Sequence, residues 1–213
     1  MFKLISIDLD GTLALSNSFD YVIHRIGGDI EKKFLEIEEA FATGEISYEK
    51  MLVDEFSLLI GLRASIIREL ASEIPLIPGA KSAIAKFREA GLLTVLLTDN
   101  PDVVIDVISK RLGIDYALGT KMKIKNDIIV SIEHVNSNKK EKLRELINEL
   151  GISFEECIHI GDWINDIELM KAVGFSIAIN PRNPEVIRAA KITIRTKNFM
   201  DVYNVLKDYI FKN

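Results

Sequence analysis

The sequence has one cysteine, Cys157, one tryptophan, three histidines and no glutamine. A single cysteine excludes an internal disulfide and fits a reducing compartment. His24 and His134 show no ligand spacing, and His159 falls inside an apolar strand pattern as a core residue, so no His/Cys set for a transition metal is in view. Asparagine stays frequent, so the missing glutamine says little about working temperature. Positive charge is not in excess: 27 Lys and Arg face 32 Asp and Glu, for a net charge of −5. That balance argues against a nucleic-acid surface. No apolar run approaches the length of a membrane span. The N-terminus enters a strand pattern directly, with no basic segment and cleavage site, so no signal peptide is expected. A soluble, cytoplasmic protein is expected, with no membrane and no nucleic-acid partner; the oligomeric state is not encoded in any visible pattern.

The chain does have a large apolar inventory. Over 213 residues, 48% are hydrophobic, enough for one domain with a substantial insertion. The most informative stretch is Ile5-Ser6-Ile7-Asp8-Leu9-Asp10-Gly11-Thr12. An apolar run ends in two acids one residue apart, and Gly11 turns the chain. Asp-Gly alone marks a surface turn. Here both carboxylates fall at the carboxyl end of a strand, where open α/β sheets place ligands. Two close acids repel unless a cation neutralises them or one keeps a proton. Thr12 adds a hydroxyl.

Residues 14–77 differ in texture from the rest. Phe34, Ile37 and Phe41, then Leu52, Phe56 and Leu59, then Ile66, Leu70 and Ile74 follow helical spacing, and no strand is evident. A simple crossover needs one helix, so these residues read as a helical bundle inserted into a core of residues 1–13 and 78–213. From Pro78 onward strands and helices alternate. A helix over 80–90 precedes the apolar strand Leu92–Leu97, which ends in Thr98-Asp99-Asn100-Pro101. Asn100 is expected to cap the next helix, with Pro101 at its first position, and that helix runs to Leu112. A short strand near Tyr116 and a hairpin over 120–133 turning at Asn126-Asp127 follow. Ser137 is expected to cap a helix ending before Gly151, with Leu143, Leu146, Ile147 and Leu150 inward. Cys157–Ile160 reads as a buried strand ending in Gly161-Asp162-Trp163-Ile164-Asn165-Asp166. Strands at 175–179 and 192–194, a short helix from Asn183-Pro184 and a helix over 198–211 complete the chain.

This alternation predicts an α/β fold: a doubly wound, mostly parallel sheet with an inserted helical-bundle cap. Three strands end in polar clusters, and parallel strands bring those ends to one edge. Asp8, Asp10, Thr12, Thr98, Asn100, Asp162, Asn165 and Asp166 would meet there. Four carboxylates without His or Cys suit a hard cation such as Mg²⁺, which commonly takes one or two carboxylates plus substrate phosphate. Hydroxyls, an amide and a helix N-terminus suit phosphate oxygens. Lys139 or Lys140, in the first turn of a helix where a lysine opposes the dipole, could supply the fixed cation that phosphoryl transfer needs.

These motifs resemble those of the haloacid dehalogenase-like hydrolases. Asp8-Leu9-Asp10-Gly11-Thr12 matches the first motif, Thr98 the second, Lys139 the third, and Gly161-Asp162-Trp163-Ile164-Asn165-Asp166 the fourth. Order and spacing agree across nearly the whole chain. The helical insertion, the hairpin and the lysine register resemble the phosphoserine phosphatase branch. The resemblance implies that Asp8 is the nucleophile of a Mg²⁺-dependent phosphatase acting on a small phosphorylated metabolite through an aspartyl-phosphate. Asp10 would protonate the leaving oxygen and later activate water. Mg²⁺ would be held by Asp8, the Asp10 backbone carbonyl and Asp162, with Asp166 supporting the metal shell. Thr98, Lys139 and Asn165 would hold phosphoryl oxygens, and Thr12 would order the first loop. Asp10 favours phosphate over halide chemistry, since dehalogenases need no acid two residues after the nucleophile.

The departures lie at the substrate end. The branch uses a cap Glu for the substrate amine, and Asn17 stands near that position. It uses a cap Arg for the substrate carboxylate, and Glu55 aligns there, which would repel a carboxylate. Free phosphoserine is therefore disfavoured. Two other readings remain open on sequence alone: a catalytically idle protein that binds a phosphorylated ligand, or a phosphotransferase to an acceptor other than water.

Overall fold

Each strand at the centre of the sheet is buried on both faces, and alternation sorts its apolar residues into two layers. The computed structural model describes residues 1–135 and 137–210, with His134 described by its backbone alone. Strand β1 (Leu4–Ile7) is fully buried, as expected where helices cover both faces. Its Ile5 and Ile7 share a core with α5 (Ala80–Glu89), α6 (Asp102–Leu112) and α10 (Met200–Ile210). Leu4 faces the opposite way, onto α7 (Lys139–Leu150) and α8 (Ile167–Ala172). Strand β2 (Leu93–Pro101) divides likewise, with Leu96 in the first layer and Val95 and Leu97 in the second.

The remaining strands are β3 (Tyr116–Lys125), β4 (Ile128–His134), β5 (Cys157–Gly161), β6 (Phe175–Ile179) and β7 (Ile192–Ile194). The seven-stranded sheet runs in the order β4-β3-β2-β1-β5-β6-β7. All neighbours are parallel except β3 and β4. After β1 the chain goes to one side of the sheet, and it later returns to the other side through β5. The carboxyl ends of β2, β1 and β5 therefore stand together at a topological switch point, where such sheets bind ligands.

Between β1 and α5 lie α1 (Ser18–Ile26), α2 (Gly28–Ala42), α3 (Tyr48–Ser57) and α4 (Ala64–Ser72); a short helix, α9 (Pro184–Ala189), follows β6. The inward stripe of α3 is as expected, with Leu52 and Phe56 buried and Leu59 just beyond. In α4 the expected stripe is shifted by one: Ala64, Ile67 and Ala71 are buried and Ile66 is exposed. A run of adjacent isoleucines leaves helical phase ambiguous. Phe41 is likewise exposed.

The hairpin reaches into these helices. Its turn residues Asn126 and Asp127 both have positive φ, the geometry of a tight two-residue hairpin. Asp127 then supplies the start of α4. Its backbone oxygen accepts from Ala64 N at 2.7 Å, and its carboxylate accepts from Ser65 N at 2.8 Å and from the Arg63 guanidinium at 3.0 Å. At the other end of α4, Arg111 of α6 donates to the carbonyls of Ala71 and Ile74.

Three boundary details differ from expectation. Asn138, not Ser137, caps α7, accepting from Glu141 N at 3.1 Å. Strand β2 continues through Pro101, so Asn100 does not cap α6, and its side chain is free for the site. The closing helix begins at Met200, and residue 211 lies outside the described residues. No helix among the described residues is long and apolar enough to cross a membrane.

Candidate active site

Asp8 directly follows β1 and keeps the parity of Leu4 and Ser6, so it points to the α7 side of the sheet. There it meets Lys139, the first residue of α7: Lys139 Nζ lies 2.8 Å from Asp8 Oδ1 and 2.6 Å from Asp166 Oδ1. All three side chains are nearly or wholly excluded from solvent. Lys139 and Lys142 extend the inward stripe of α7 that Leu143, Leu146 and Ile147 begin. Lys142 Nζ donates to Asp99 Oδ1 and to the Thr98 carbonyl, each at 2.9 Å. Two buried lysines one turn apart thus bind the polar ends of β1, β2 and the segment after β5.

Asp166 is the most fully engaged acid. Its Oδ1 also accepts from His159 Nε2 at 3.0 Å. Its Oδ2 accepts from the backbone N–H groups of Asp162 and Trp163 at 3.1 and 3.2 Å. Burial alone would raise its pKa, but Lys139 and His159 hold it well below the usual carboxylate range. Gly161 permits this approach: a Cβ there would stand 2.3 Å from the Asp166 carboxylate. His159 is a buried strand residue as expected, but its partners join the site to the sheet, because Nδ1 lies 2.9 Å from Ser6 Oγ.

Burial pushes the Asp8 carboxyl well above its usual range, and the neighbouring acids Asp166 and Asp162 add to this against the pull of Lys139. Burial and Asp166 push Asp162 up to about 7. Burial also disfavours the charge on Lys139, but Asp166, Asp8 and Asp99 outweigh it and keep the ammonium protonated. Oxygens of Asp8, Asp162 and Asp166 lie within 4.8 Å of one another. Asp162 Oδ1 is buried with no hydrogen-bond partner. An all-carboxylate donor set with an open buried oxygen and an excess of negative charge fits a hard divalent cation. The loop that carries Asp10 is shaped around this group: Gly11 has φ +73°, and a Cβ on it would stand 2.2 Å from Asp162 Oδ2.

The Asp10 carboxylate is not among those three. Its Oδ1 accepts from Ser18 N at 2.7 Å and from the Ser18 hydroxyl, and its Oδ2 accepts from Asn100 Nδ2 at 2.7 Å. Asp10 therefore sits at the N-terminus of α1, a favourable place for an anion. Burial still raises its pKa against these hydrogen bonds, which suits a group that must both give and take a proton. Two carboxyls two residues apart thus have separate environments.

Thr98 is buried, and its hydroxyl accepts from Asn100 Nδ2 at 3.2 Å. Asn165 Nδ2 donates to Asp99 Oδ2 at 3.0 Å, and the Tyr48 hydroxyl of α3 donates to the same oxygen at 3.0 Å. Thr12 is buried, but its hydroxyl has no hydrogen-bond partner. The first loop is instead ordered by its backbone, with Thr12, Leu13 and Ala14 N–H groups all directed to the Leu9 carbonyl. Asn17 caps α1, accepting from Phe19 N at 2.9 Å and Asp20 N at 3.3 Å.

One cavity of about 940 Å³ joins these residues, with Asp8, Asp10, Thr12, Thr98, Asn100, Asp162 and Asn165 on the sheet side and Asn17, Tyr48 and Glu55 on the helical side. Trp163 lines it and is 45% exposed. Glu38, half-buried, also lines it. Burial, then Glu38, pushes Glu55 up to about 9. Glu55 is thus a buried residue of the cavity wall. Ser18, Glu38, Tyr48, Asp99 and Arg182 escaped the sequence reading. Only Asp99 carried a signal, as the acid beside Thr98 at the end of an apolar strand.

The family model for haloacid dehalogenase-like hydrolases matches residues 2–174. The chain belongs to that hydrolase family, and the relatives it resembles are phosphoserine phosphatases. It is 28% identical over 211 residues to a phosphoserine phosphatase of Archaeoglobus fulgidus, a match covering 96% of this chain and 60% of that protein. It is 26% identical over 209 residues to a phosphoserine phosphatase of Methanocaldococcus jannaschii, covering 96% of this chain and 98% of that one. A solved structure of a phospho-aspartyl intermediate analogue of phosphoserine phosphatase superposes with a TM-score of 0.78 at 25% identity, over 96% of this chain and 98% of the other.

Proposed function

We propose that the chain is a Mg²⁺-dependent phosphatase that hydrolyses a small phosphomonoester through an aspartyl-phosphate on Asp8. The observation that carries this reading is the contrast between the two acids of the first loop. Asp8 lies against Lys139 and the other acids, whereas Asp10 is set apart from them, held by Ser18 and Asn100. One is built to attack and the other to carry a proton.

In the first displacement an Asp8 oxygen forms a bond to phosphorus as the ester P–O bond breaks. Asp10 gives its proton to the departing alcohol oxygen. In the second, water adds to phosphorus, Asp10 takes the water proton, and the acyl-phosphate P–O bond breaks to release phosphate and restore Asp8. Lys139 balances charge on the phosphoryl oxygens. Thr98 and Asn165 bind those oxygens, with Asn100 holding Asp10. Asp8, Asp162 and the Asp10 backbone carbonyl would hold Mg²⁺, with Asp166 in support; when bound, the ion neutralises both the acids and the phosphoryl group. Residues 14–77 act as the cap that screens the site from water and selects the alcohol.

The Asp8→Asn variant is expected to lose turnover of p-nitrophenyl phosphate, and EDTA to abolish it in the unmodified protein. Undiminished activity in either case sinks this mechanism.

A further inference from the structure

The cap side of the cavity has a distinct charge. Glu38 of α2 and Glu55 of α3 line it, and Glu38 stands close enough to Glu55 to help raise its pKa. No Lys, Arg or His of residues 14–77 lines the cavity among the described residues. Arg182 and Lys197 line it from the sheet side. Arg182 is near enough to Asp162 to oppose the rise of its pKa, so the Arg182 charge stands at the Asp162 end of the cavity. Aromatic side chains Phe19, Tyr48 and Phe56 line the same space.

A second observation is independent of the acids. Asn100 is 5% exposed and lines the same cavity. Its amide oxygen is buried with no hydrogen-bond partner. An open acceptor of this kind calls for a donor on the ligand.

Accepting the phosphatase reading above, we propose that the substrate's alcohol portion carries a positive charge, as an amine or quaternary ammonium, and bears no carboxylate. Facing carboxyls on one cavity wall, Glu55 buried and Glu38 half-buried, favour a proton between them when no cation is present. A cation between them removes that need and gains charge-assisted hydrogen bonds or ring contacts. A substrate carboxylate would add a further negative charge to the same space. This sets the chain apart from an enzyme for a phosphorylated amino acid, and the difference rests on Glu38 and Glu55.

The test compares kcat/KM for 2-aminoethyl phosphate with its neutral isostere n-propyl phosphate and with O-phosphoserine, and uses p-nitrophenyl phosphate to read the chemistry alone. The amine is expected to exceed n-propyl phosphate by at least about tenfold, the scale of one charge-assisted contact, and to exceed O-phosphoserine as well. Glu55→Gln and Glu38→Gln are expected to bring the amine-to-propyl ratio toward one. Equal turnover of the amine and its isostere, or a preference for O-phosphoserine, overturns the proposal while p-nitrophenyl phosphate hydrolysis leaves the phosphatase reading intact. Where cleavage of the alkyl esters is slow, inhibition by 2-aminoethylphosphonate against propylphosphonate makes the same comparison, and equal inhibition also overturns the proposal. Should a variant fail to fold, the ratios in the unmodified protein decide. A protein that hydrolyses none of these esters, p-nitrophenyl phosphate included, fails the phosphatase reading itself, and this inference falls with it.

Discussion

Lys139 bridges Asp8 and Asp166 inside the protein, and that bridge has a measurable cost of removal. Taking one partner from a buried charge pair destabilises by about 3–5 kcal/mol because the other charge stays buried and uncompensated. Lys139→Met is therefore expected to lower the free energy of unfolding in urea by about that amount in metal-free protein. The double variant Asp8→Asn/Lys139→Met is expected to lose less than the sum of the single losses, since the two residues share one interaction. Additive losses would show that the pair is not coupled.

Glu55 gives a second prediction at this scale, and its sign is unusual for a carboxylate. Its carboxyl is pushed up from 4.5 to about 9 by burial and by Glu38. Between those values the native chain keeps a proton that the unfolded chain releases. Stability contributed by the neutral form is therefore present at low pH and falls as pH rises toward 9. Glu55→Gln is expected to flatten the thermal midpoint across that range and to leave the variant relatively more stable at its upper end. Parallel curves for the two proteins would refute the assignment.

The elements explain which parts of the site were legible in sequence. Asp8, Asp10, Thr98, Lys139 and Asp166 were found because strand ends and a helix start are local patterns, and parallel topology brings them together. Lys139 was marked by being a lysine at the wrong end of a helix dipole. The cap was less legible. Glu38 and Glu55 lie 17 positions apart on different helices, and only packing makes them neighbours. Phase in α4 was misread where Ile66 and Ile67 are adjacent. The helix caps expected at Asn100 and Ser137 fall one residue later, because β2 runs on through Pro101 and because Asn138, beside Ser137, is an equally good cap.

The hairpin itself was legible from alternation, but its attachment was not. Asp127, at its turn, accepts hydrogen bonds from the first turn of α4 and from Arg63, which is an N-cap supplied from another part of the chain. Asp127→Ala is expected to cost about 1–2 kcal/mol, the scale of a strong N-cap, measured by urea unfolding. Arg63→Ala, which leaves the Ser65 bonds in place, is expected to cost less because that ion pair is exposed. Equal losses would mean that the exposed ion pair contributes as much as the cap.

Across the whole molecule the helical layer is not fastened evenly. Helix α4 is held by the hairpin at its start and by Arg111 at its end. On the other side, Tyr48 of α3 donates to Asp99, next to Thr98. That hydroxyl joins the helical side of the cavity to the residue beside Thr98, within a network that also holds Asn165 and Lys142. Tyr48→Phe is expected to raise KM more than it lowers kcat, since it releases the cap contact and leaves Asp8, Asp10 and Lys139 in place. A fall in kcat with KM unchanged would place Tyr48 in the chemistry instead.

Trp163 stands between Asp162 and the 3₁₀ turn at Ile164–Asp166, half-exposed at the cavity, and it is the chain's one tryptophan. Tryptophan emission from this protein therefore comes from one reporter, on the wall of the cavity. Its backbone N–H is fixed to Asp166, so the indole's anchor is steady while its ring meets solvent. Occupancy of the cavity becomes an optical signal that needs no label and no turnover, and an inactive variant can be titrated as readily as an active one.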